Sequence, residues 1–154
     1  MDYLVVRMPT DYESKTGFIY MNQEDMSSEF VQIGDLIYKC LPHSAVGRRT
    51  IAMNWIQRRQ ARTSHVFVLE WKPTKNIDIQ NLGIDVHWVV TDTTMELPSI
   101  EGPFKTHFKN HILSPGQEVL LYVGYNIAEC KIKMNSRGMM THNTQLKVFG
   151  PGNR

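Results

Sequence analysis

The sequence predicts a mainly β protein with α+β character, in which a small barrel is followed by a unit of mixed helix and sheet. Three observations lead to this fold class. The first half contains short runs rich in Val, Ile, Tyr and Phe, separated by turn residues. The second half adds one stretch with helical spacing of its apolar residues, and a polar segment with turn chemistry separates the two halves.

The runs of the first half are predicted to be barrel strands. Each is bounded by Pro, Gly, Asp or Asn, which supply turn dihedrals or bond the neighbouring backbone. The predicted strands are Tyr3 to Arg7, Gly17 to Met21, Leu36 to Cys40, Thr50 to Met53 and His65 to Trp71. In this half, only Gln23 to Phe30 has the pattern of a helical turn. The barrel subdomain is therefore expected to span residues 1–72.

The second half begins after residues 72–76, Lys-Pro-Thr-Lys-Asn, which suit a linker. A helix is predicted from Glu101 to Leu113, ended by Ser-Pro-Gly. The predicted strands are Leu82 to Val90, Glu118 to Val123, Asn126 to Met134 and Gln145 to Phe149. Alternation around Cys130 places that thiol in the core. This subdomain is expected to span residues 77–149, and residues 150–154 are expected to start a linker to something larger.

Composition narrows the class of protein. A chain of 154 residues with 42% hydrophobic content can bury a real core, and a net charge of +2 does not by itself indicate nucleic acid binding. Two cysteines without a Cys-x-x-Cys pair predict no disulfide framework and favour a reducing cytoplasm. There is neither a signal peptide pattern nor an apolar run of about 20 residues, so no membrane insertion is expected.

The motifs of catalysis are missing from the sequence. There is no phosphate-binding G-x-x-x-x-G-K-[ST] loop, no dinucleotide fingerprint and no Gly-x-Ser-x-Gly elbow. His107 and His111 are spaced to share a metal on one helix face, but Phe108 stands where the zinc-protease motif needs its glutamate. The expectation is a chain with no enzymatic activity, no metal and no cofactor.

A basic segment between His43 and Asn76 carries the strongest binding signal. Its cations, set against the single acid Glu70, are Arg48, Arg49, Arg58, Arg59, Arg62, Lys72 and Lys75. Arg58 and Arg59 follow an apolar strand beside Trp55, so a guanidinium at a groove rim could take carboxylates bidentately. A solvated face is the plain alternative. RNA stacking is a third, with Phe67, Trp71 and Trp88 as the aromatic platforms.

Four segments together resemble the amino-terminal domain of N-ethylmaleimide-sensitive fusion protein (NSF), a vesicle-fusing AAA+ ATPase, and they occur in the family's order. They are Arg7-Met8-Pro9-Thr10-Asp11, Thr50 to Met53 with Gln57-Arg58-Arg59, Phe104 to Leu121 with its Ser-Pro-Gly-Gln turn, and Thr141 to Phe149. The resemblance implies a double-psi β-barrel subdomain, a smaller α/β subdomain and a groove between them.

The same resemblance implies a non-catalytic role in gripping soluble NSF attachment protein and, through it, SNARE complexes. ATP and Mg would act in further ATPase domains of a homohexameric parent, and the isolated domain would be a monomer, cytoplasmic and peripheral to trafficking membranes. Partner-binding residues carried over are Arg7, Arg58 and Arg59.

The chain departs from the family pattern at three places. Gln60 replaces an aromatic residue, and Arg62 falls in a turn where the family has glycine. A lysine pair of the family falls near Val89 and Val90, so Lys105 and Lys109 are taken as its replacements and Arg62 as an added cation. Two alternatives stay open: the cofactor-binding domain of a valosin-containing-protein-type unfoldase, and an enzyme built on a double-psi barrel.

Overall fold

The computed structural model describes residues 2–74, 77–91 and 96–150. Their contacts divide the chain into two compact units, Met1–Lys75 and Asn76–Arg154, which are nearly equal in length. The predicted linker of residues 72–76 has no regular structure over residues 72–74, and its last two residues lie outside the described part. Residues 151–154 of the predicted terminal linker also lie outside it. In the described part, no helix is long and apolar enough to cross a bilayer.

The first unit is a closed six-stranded barrel with the strand order β1-β5-β2-β4-β3-β6. Its strands are β1 (Asp2–Arg7), β2 (Ile19–Met21), β3 (Phe30–Ile33), β4 (Leu36–Pro42), β5 (Thr50–Met53) and β6 (His65–Trp71). Parallel pairing joins β1 to β5 and β2 to β4, and the other neighbours are antiparallel. The sequence therefore predicts the barrel correctly at this level, although β3 is missing from the predicted strands.

The barrel interior is filled by β-branched, sulfur and aromatic side chains that alternate with outward-facing positions. The main buried cluster contains Tyr3, Ile19, Met21, Val31, Ile33, Tyr38, Cys40, Ile51, Met53 and Val66. Ile19, Ile51 and Met53 are fully buried. Because the side-chain period of a strand is two, this set fixes the register of each strand in the barrel.

Short helices connect the barrel strands. Helix α1 (Asp11–Ser14) begins with a capping box in which Thr10 and Glu13 bond each other's backbone. The helical turn predicted over Gln23 to Phe30 is shorter than expected, a 3₁₀ turn over Gln23–Asp25, because Phe30 already belongs to β3. Helix α2 (Trp55–Ala61) is absent from the predicted elements of this half.

Over residues 77–91 and 96–150, the second unit contains a four-stranded mixed sheet, one helix and a small two-stranded sheet. Its elements are β7 (Asn81–Val90), α3 (Glu101–Phe108), β8 (Ile112–Leu113), β9 (Glu118–Val123), β10 (Asn126–Lys133), β11 (Gly138–Met139) and β12 (Gln145–Phe149). The larger sheet has the order β12-β7-β10-β9, with β12 parallel to β7. Strands β8 and β11 form the small sheet.

Helix α3 is shorter than predicted. It ends at Phe108 rather than at Leu113, and Asn110 adopts a left-handed φ of 66° just beyond it. Ile112 and Leu113 pair with β11 instead, so strand pairing ends the helix before the Ser-Pro-Gly turn is reached. His111 consequently lies outside the helix, which contradicts the predicted shared helix face of His107 and His111.

One apolar cluster forms the core of the second unit. Phe104 and Phe108 project from α3 onto residues of β7, β9 and β10, and their ring centroids are 4.7 Å apart. Cys130 is fully buried there, as its alternation predicted, while Lys131 and Lys133 face outward. The core therefore joins one face of the sheet to the single described helix of this unit.

Candidate functional site

Helix α2 is the element that positions the basic side chains of the barrel. Its N-cap Asn54 accepts a bond from the Gln57 backbone at 2.9 Å, and the Gln57 side chain accepts from the Asn54 backbone at 2.8 Å. This capping box fixes the first turn. Ile56 and Gln57 are buried, which anchors the helix and leaves Arg58 half-buried and Arg59 exposed at its surface.

Arg58 is held against the end of the barrel. Its guanidinium Nη1 donates to the Met53 carbonyl at 2.7 Å. Met53 is also the register partner of Arg7 in the parallel β1–β5 pair, which brings Arg7 to the same end. Burial lowers the pKa of Arg58, and the positive charge of Arg7 lowers it further. Two like charges thus lie close together, with one of them partly desolvated.

Arg59 and Arg62 extend the basic surface along α2. The Arg59 guanidinium lies over the Trp55 ring, 5.4 Å from its centroid, and Trp55 is 36% exposed. Such stacking orients a guanidinium while its edge can still take acceptors. Arg62 caps the C-terminus of α2 at a left-handed φ of 63° and donates its backbone N–H to the Arg58 carbonyl at 3.1 Å. We refer to Arg7, Arg58, Arg59 and Arg62 as the arginine cluster.

Two other cations of the basic segment lie beside carboxylates of their own. Arg48 bonds Glu24 at 2.7 Å and Asp25 at 2.9 Å, and Lys72 lies 3.7 Å from Glu70. Within the described ranges, no carboxylate forms an ion pair with Arg7, Arg58 or Arg62. The positive patch expected between His43 and Asn76 stays a prediction, and Arg48 and Lys72 are the two of its described cations shown here with a carboxylate nearby.

The remaining predicted site residues belong to the second unit. Lys105 lies half-buried on α3, and Lys109 is exposed at the end of that helix. Neither lysine is ion-paired within the described residues. These two positions are compatible with a role in binding, and no carboxylate holds them in the described part of the chain.

The histidines of this unit do not assemble a metal site. Among described residues, no group of three His, Cys, Asp or Glu side chains is arranged to hold a metal ion. His107 is largely buried, which lowers its pKa, and its ring packs edge-on against Phe108 at 4.8 Å. The ring of His111 also packs edge-on against Phe108, with a centroid distance of 5.4 Å. The two histidines thus pack around Phe108 as part of the core.

The elements that position the arginine cluster were not predicted from the sequence. The Asn54…Gln57 spacing is a capping-box pattern that could have revealed α2 before the structure. The Arg7–Met53 register could not be read locally, because it joins strands about fifty residues apart in the chain. No protein-family model matches this chain, and no curated protein sequence matches it either.

Proposed function

We propose that this chain is the adaptor-binding, non-catalytic domain of a vesicle-fusing AAA+ ATPase. It would grip soluble NSF attachment protein bound to SNARE complexes, so that a full-length homohexamer can disassemble them. The observation that carries the proposal is the arginine cluster, in which Arg58 is partly desolvated and held by the Met53 carbonyl without a described carboxylate partner. A guanidinium held in this way favours binding of an acidic protein surface over binding of a small substrate.

The fold supports the same proposal. A six-stranded barrel with two parallel pairs, each joining strands that are not consecutive in the chain, is compatible with a double-psi barrel. The mixed sheet and helix that follow it are compatible with the α/β subdomain that the resemblance implies. We assign the chain to this domain pair as part of the proposal.

The proposed mechanism is electrostatic grip and transmission of force. Long-range attraction between the arginine cluster and acidic adaptor groups would speed and orient docking, while desolvated pairs at Arg58 would slow release. Planar guanidiniums match carboxylates bidentately, which makes the grip directional. ATP and Mg would act in the parent's ATPase domains, whose movement would pull on the adaptor through this chain. The chain itself would work in the cytoplasm, at the surface of trafficking membranes.

Calorimetric titration against soluble NSF attachment protein, alone and bound to SNARE complexes, tests the proposal. We expect weak adaptor binding that strengthens with the assembled complex and weakens with salt. Arg58→Glu with Arg59→Glu should reduce the affinity by about tenfold or more, since 1.4 kcal/mol corresponds to each tenfold. Lys72→Glu with Lys131→Glu provides a control with the same change in net charge, and circular dichroism checks that each variant is folded.

Three results would contradict the proposal. The first is unchanged affinity of the arginine variant at low salt, and the second is an equal loss in the control variant. The third is a folded chain that binds neither the adaptor nor its complex. Binding to ubiquitin-linked cofactors in place of the adaptor would instead favour the unfoldase alternative.

A further inference from the structure

A second cationic feature lies on the outer face of the four-stranded sheet in the second unit. Gly83 of β7 is the register partner of Lys133 on β10 and of Lys147 on β12. Neighbouring strands are about 4.8 Å apart, so the two lysine backbones stand roughly 10 Å from each other across the glycine. Gly83 places no side chain between the two lysines, and the Phe149 ring and Lys133 approach it closely.

The surroundings of Gly83 show how closely its neighbours approach. A Cβ built at this position would lie 3.1 Å from the Lys133 carbonyl oxygen and 3.2 Å from the Phe149 ring. The groove over this glycine has a volume of about 740 Å³. We call it the Gly83 groove; it is lined by Asn81, Leu82, Gly83, Lys133, Met134, Asn135, Gln145, Leu146, Lys147 and Phe149.

The charge of the Gly83 groove is one-sided. Its lining contains two lysines and three side-chain amides but no carboxylate. The nearest ion pair in the described residues joins Lys133 Nζ to Asp85 at 3.9 Å, and both side chains are about half exposed, so it contributes little. Lys147 Nζ lies 5.3 Å from the Phe149 ring centroid. Each lysine therefore has a weak contact, and the pair remains available to a stronger anion.

The shape and walls of the groove favour a peptide over a small ion. The depression crosses three strands and is open to solvent, whereas an inorganic anion would fill only a small part of it. Phe149, which is 39% exposed, adds an apolar wall on which an aliphatic side chain can pack, and the amides can bond a peptide backbone. Alternate residues of an extended chain are about 6.6 Å apart, which long lysine side chains can match.

We propose that the Gly83 groove binds an extended acidic peptide segment of a partner protein. Two carboxylates on alternate residues of the segment pair with Lys133 and Lys147, and an apolar residue two positions further along, on the same face, packs on Phe149. This site is independent of the arginine cluster, which belongs to the other unit. The chain accordingly has two separate cationic sites that can each hold an acidic partner.

Fluorescence anisotropy with the labelled pentapeptide Glu-Ser-Glu-Ser-Leu, which places two glutamates and a leucine on one face, tests the site. We expect binding that weakens with salt and is lost when glutamine replaces glutamate in the peptide. Lys133→Gln with Lys147→Gln should weaken binding by about tenfold, the effect of roughly 1.4 kcal/mol. Lys72→Gln with Lys131→Gln removes the same charge outside the groove lining and should leave the affinity nearly unchanged. Amide shifts in the NMR spectrum should concentrate at residues 81–83 and 145–149.

Several outcomes would overturn the inference. Equal loss of affinity in the control variant would reduce the effect to net charge, and equal binding of the glutamine peptide would exclude carboxylate recognition. Displacement of the peptide by inorganic phosphate at comparable concentration would identify a small-anion site instead. Arg58→Glu with Arg59→Glu should leave peptide binding intact, so failure here and failure of adaptor binding at the arginine cluster can be told apart.

Discussion

The barrel and the second unit present positive charge in different ways. In the barrel, Arg58 is fixed by a 2.7 Å bond to a carbonyl and Arg59 is stacked on Trp55. In the second unit, Lys133 and Lys147 extend from a sheet on flexible stems with one weak contact each. Fixed guanidiniums lose little conformational freedom on binding, whereas lysines must be ordered by the ligand. The barrel surface is therefore suited to directional grip and the sheet surface to adaptable, salt-sensitive contact.

The largest expected effect is a loss of stability in the core of the second unit that leaves the barrel core intact. Phe104→Ala removes a fully buried ring from the second unit and should cost about 4 kcal/mol of folding free energy. Urea denaturation followed by amide exchange measures the loss in each unit. Protection should fall in β7 and β10 and persist in β1 and β5. Phe67→Ala, at a barrel position 57% exposed, is the control and should change stability by less than about 0.5 kcal/mol.

A uniform loss of protection in both units after Phe104→Ala would contradict that separation. It would mean that the barrel and the second unit unfold together in one cooperative transition.

The next effect is a loss of folding stability at alkaline pH, because each core contains one buried thiol. Burial raises the pKa of Cys40 and of Cys130 to about 12, compared with roughly 8.5 in an unfolded chain. The folded pKa lies above the unfolded one, so this contribution is complete below about pH 8.5 and is lost as the pH rises toward 12. The slope is about 1.4 kcal/mol per pH unit for each thiol. Chemical denaturation between about pH 8.5 and 9.5, where tyrosine and lysine stay mostly protonated, measures it.

Cys40→Ala and Cys130→Ala assign that slope to the barrel and to the second unit respectively. Each variant should flatten the pH dependence of its own unit, whatever the cost of the lost sulfur at neutral pH. An unchanged slope in both variants would show that the thiols do not cause it.

A smaller effect on stability distinguishes Arg58, which is fixed by a hydrogen bond, from Lys147, which has a flexible stem. Arg58→Met removes the bond to the Met53 carbonyl and should destabilise the barrel by about 1 kcal/mol, partly offset by relief from the charge of Arg7. Lys147→Met keeps the stem of an exposed side chain and should stay within about 0.5 kcal/mol of wild type. Thermal unfolding of the two variants provides the comparison. Equal losses would remove the distinction between the fixed and the flexible surface.

The smallest expected effect is a gain in folding stability. Arg62 has a left-handed φ of 63°, a conformation that costs most residues about 1–2 kcal/mol and glycine almost nothing. Arg62→Gly also enlarges the freedom of the unfolded chain, so a net stabilisation of about 0.5 kcal/mol is expected. Urea midpoints of Arg62→Gly and Arg62→Ala test this, since alanine removes the charge without relieving the backbone. A glycine variant no more stable than the alanine variant would contradict the role of the backbone.

Elements made by local sequence were predictable, whereas elements made by distant partners were not. The strand from Thr50 to Met53 was found with its bounds because short β-branched runs between turn residues are a local signal. Helix α3 was extended too far because Ile112 and Leu113 fit its apolar spacing, although their pairing with β11 decides their conformation. Helix α2 was missed because seven residues give too little periodicity, and only its capping box marked it.

The candidate sites follow the same rule. Arg58 and Arg59 could be selected from the sequence, because a basic pair beside Trp55 is visible there. That Arg48 is neutralised could not be foreseen, since Glu24 and Asp25 come from a turn more than twenty residues away. The Gly83 groove depends on the register of three strands, of which β12 is more than sixty residues from β7 in the chain. No local pattern brings Lys147 and Lys133 to the same glycine.

The placement of the two thiols also makes the chain its own conformational reporter. Maleimides alkylate thiolates that solvent can reach, and both Cys40 and Cys130 are buried with raised pKa values in the native protein. Alkylation then requires opening of the surrounding core. The labelling rate at Cys40 measures opening of the barrel and the rate at Cys130 that of the second unit, within one reaction mixture and without an engineered probe.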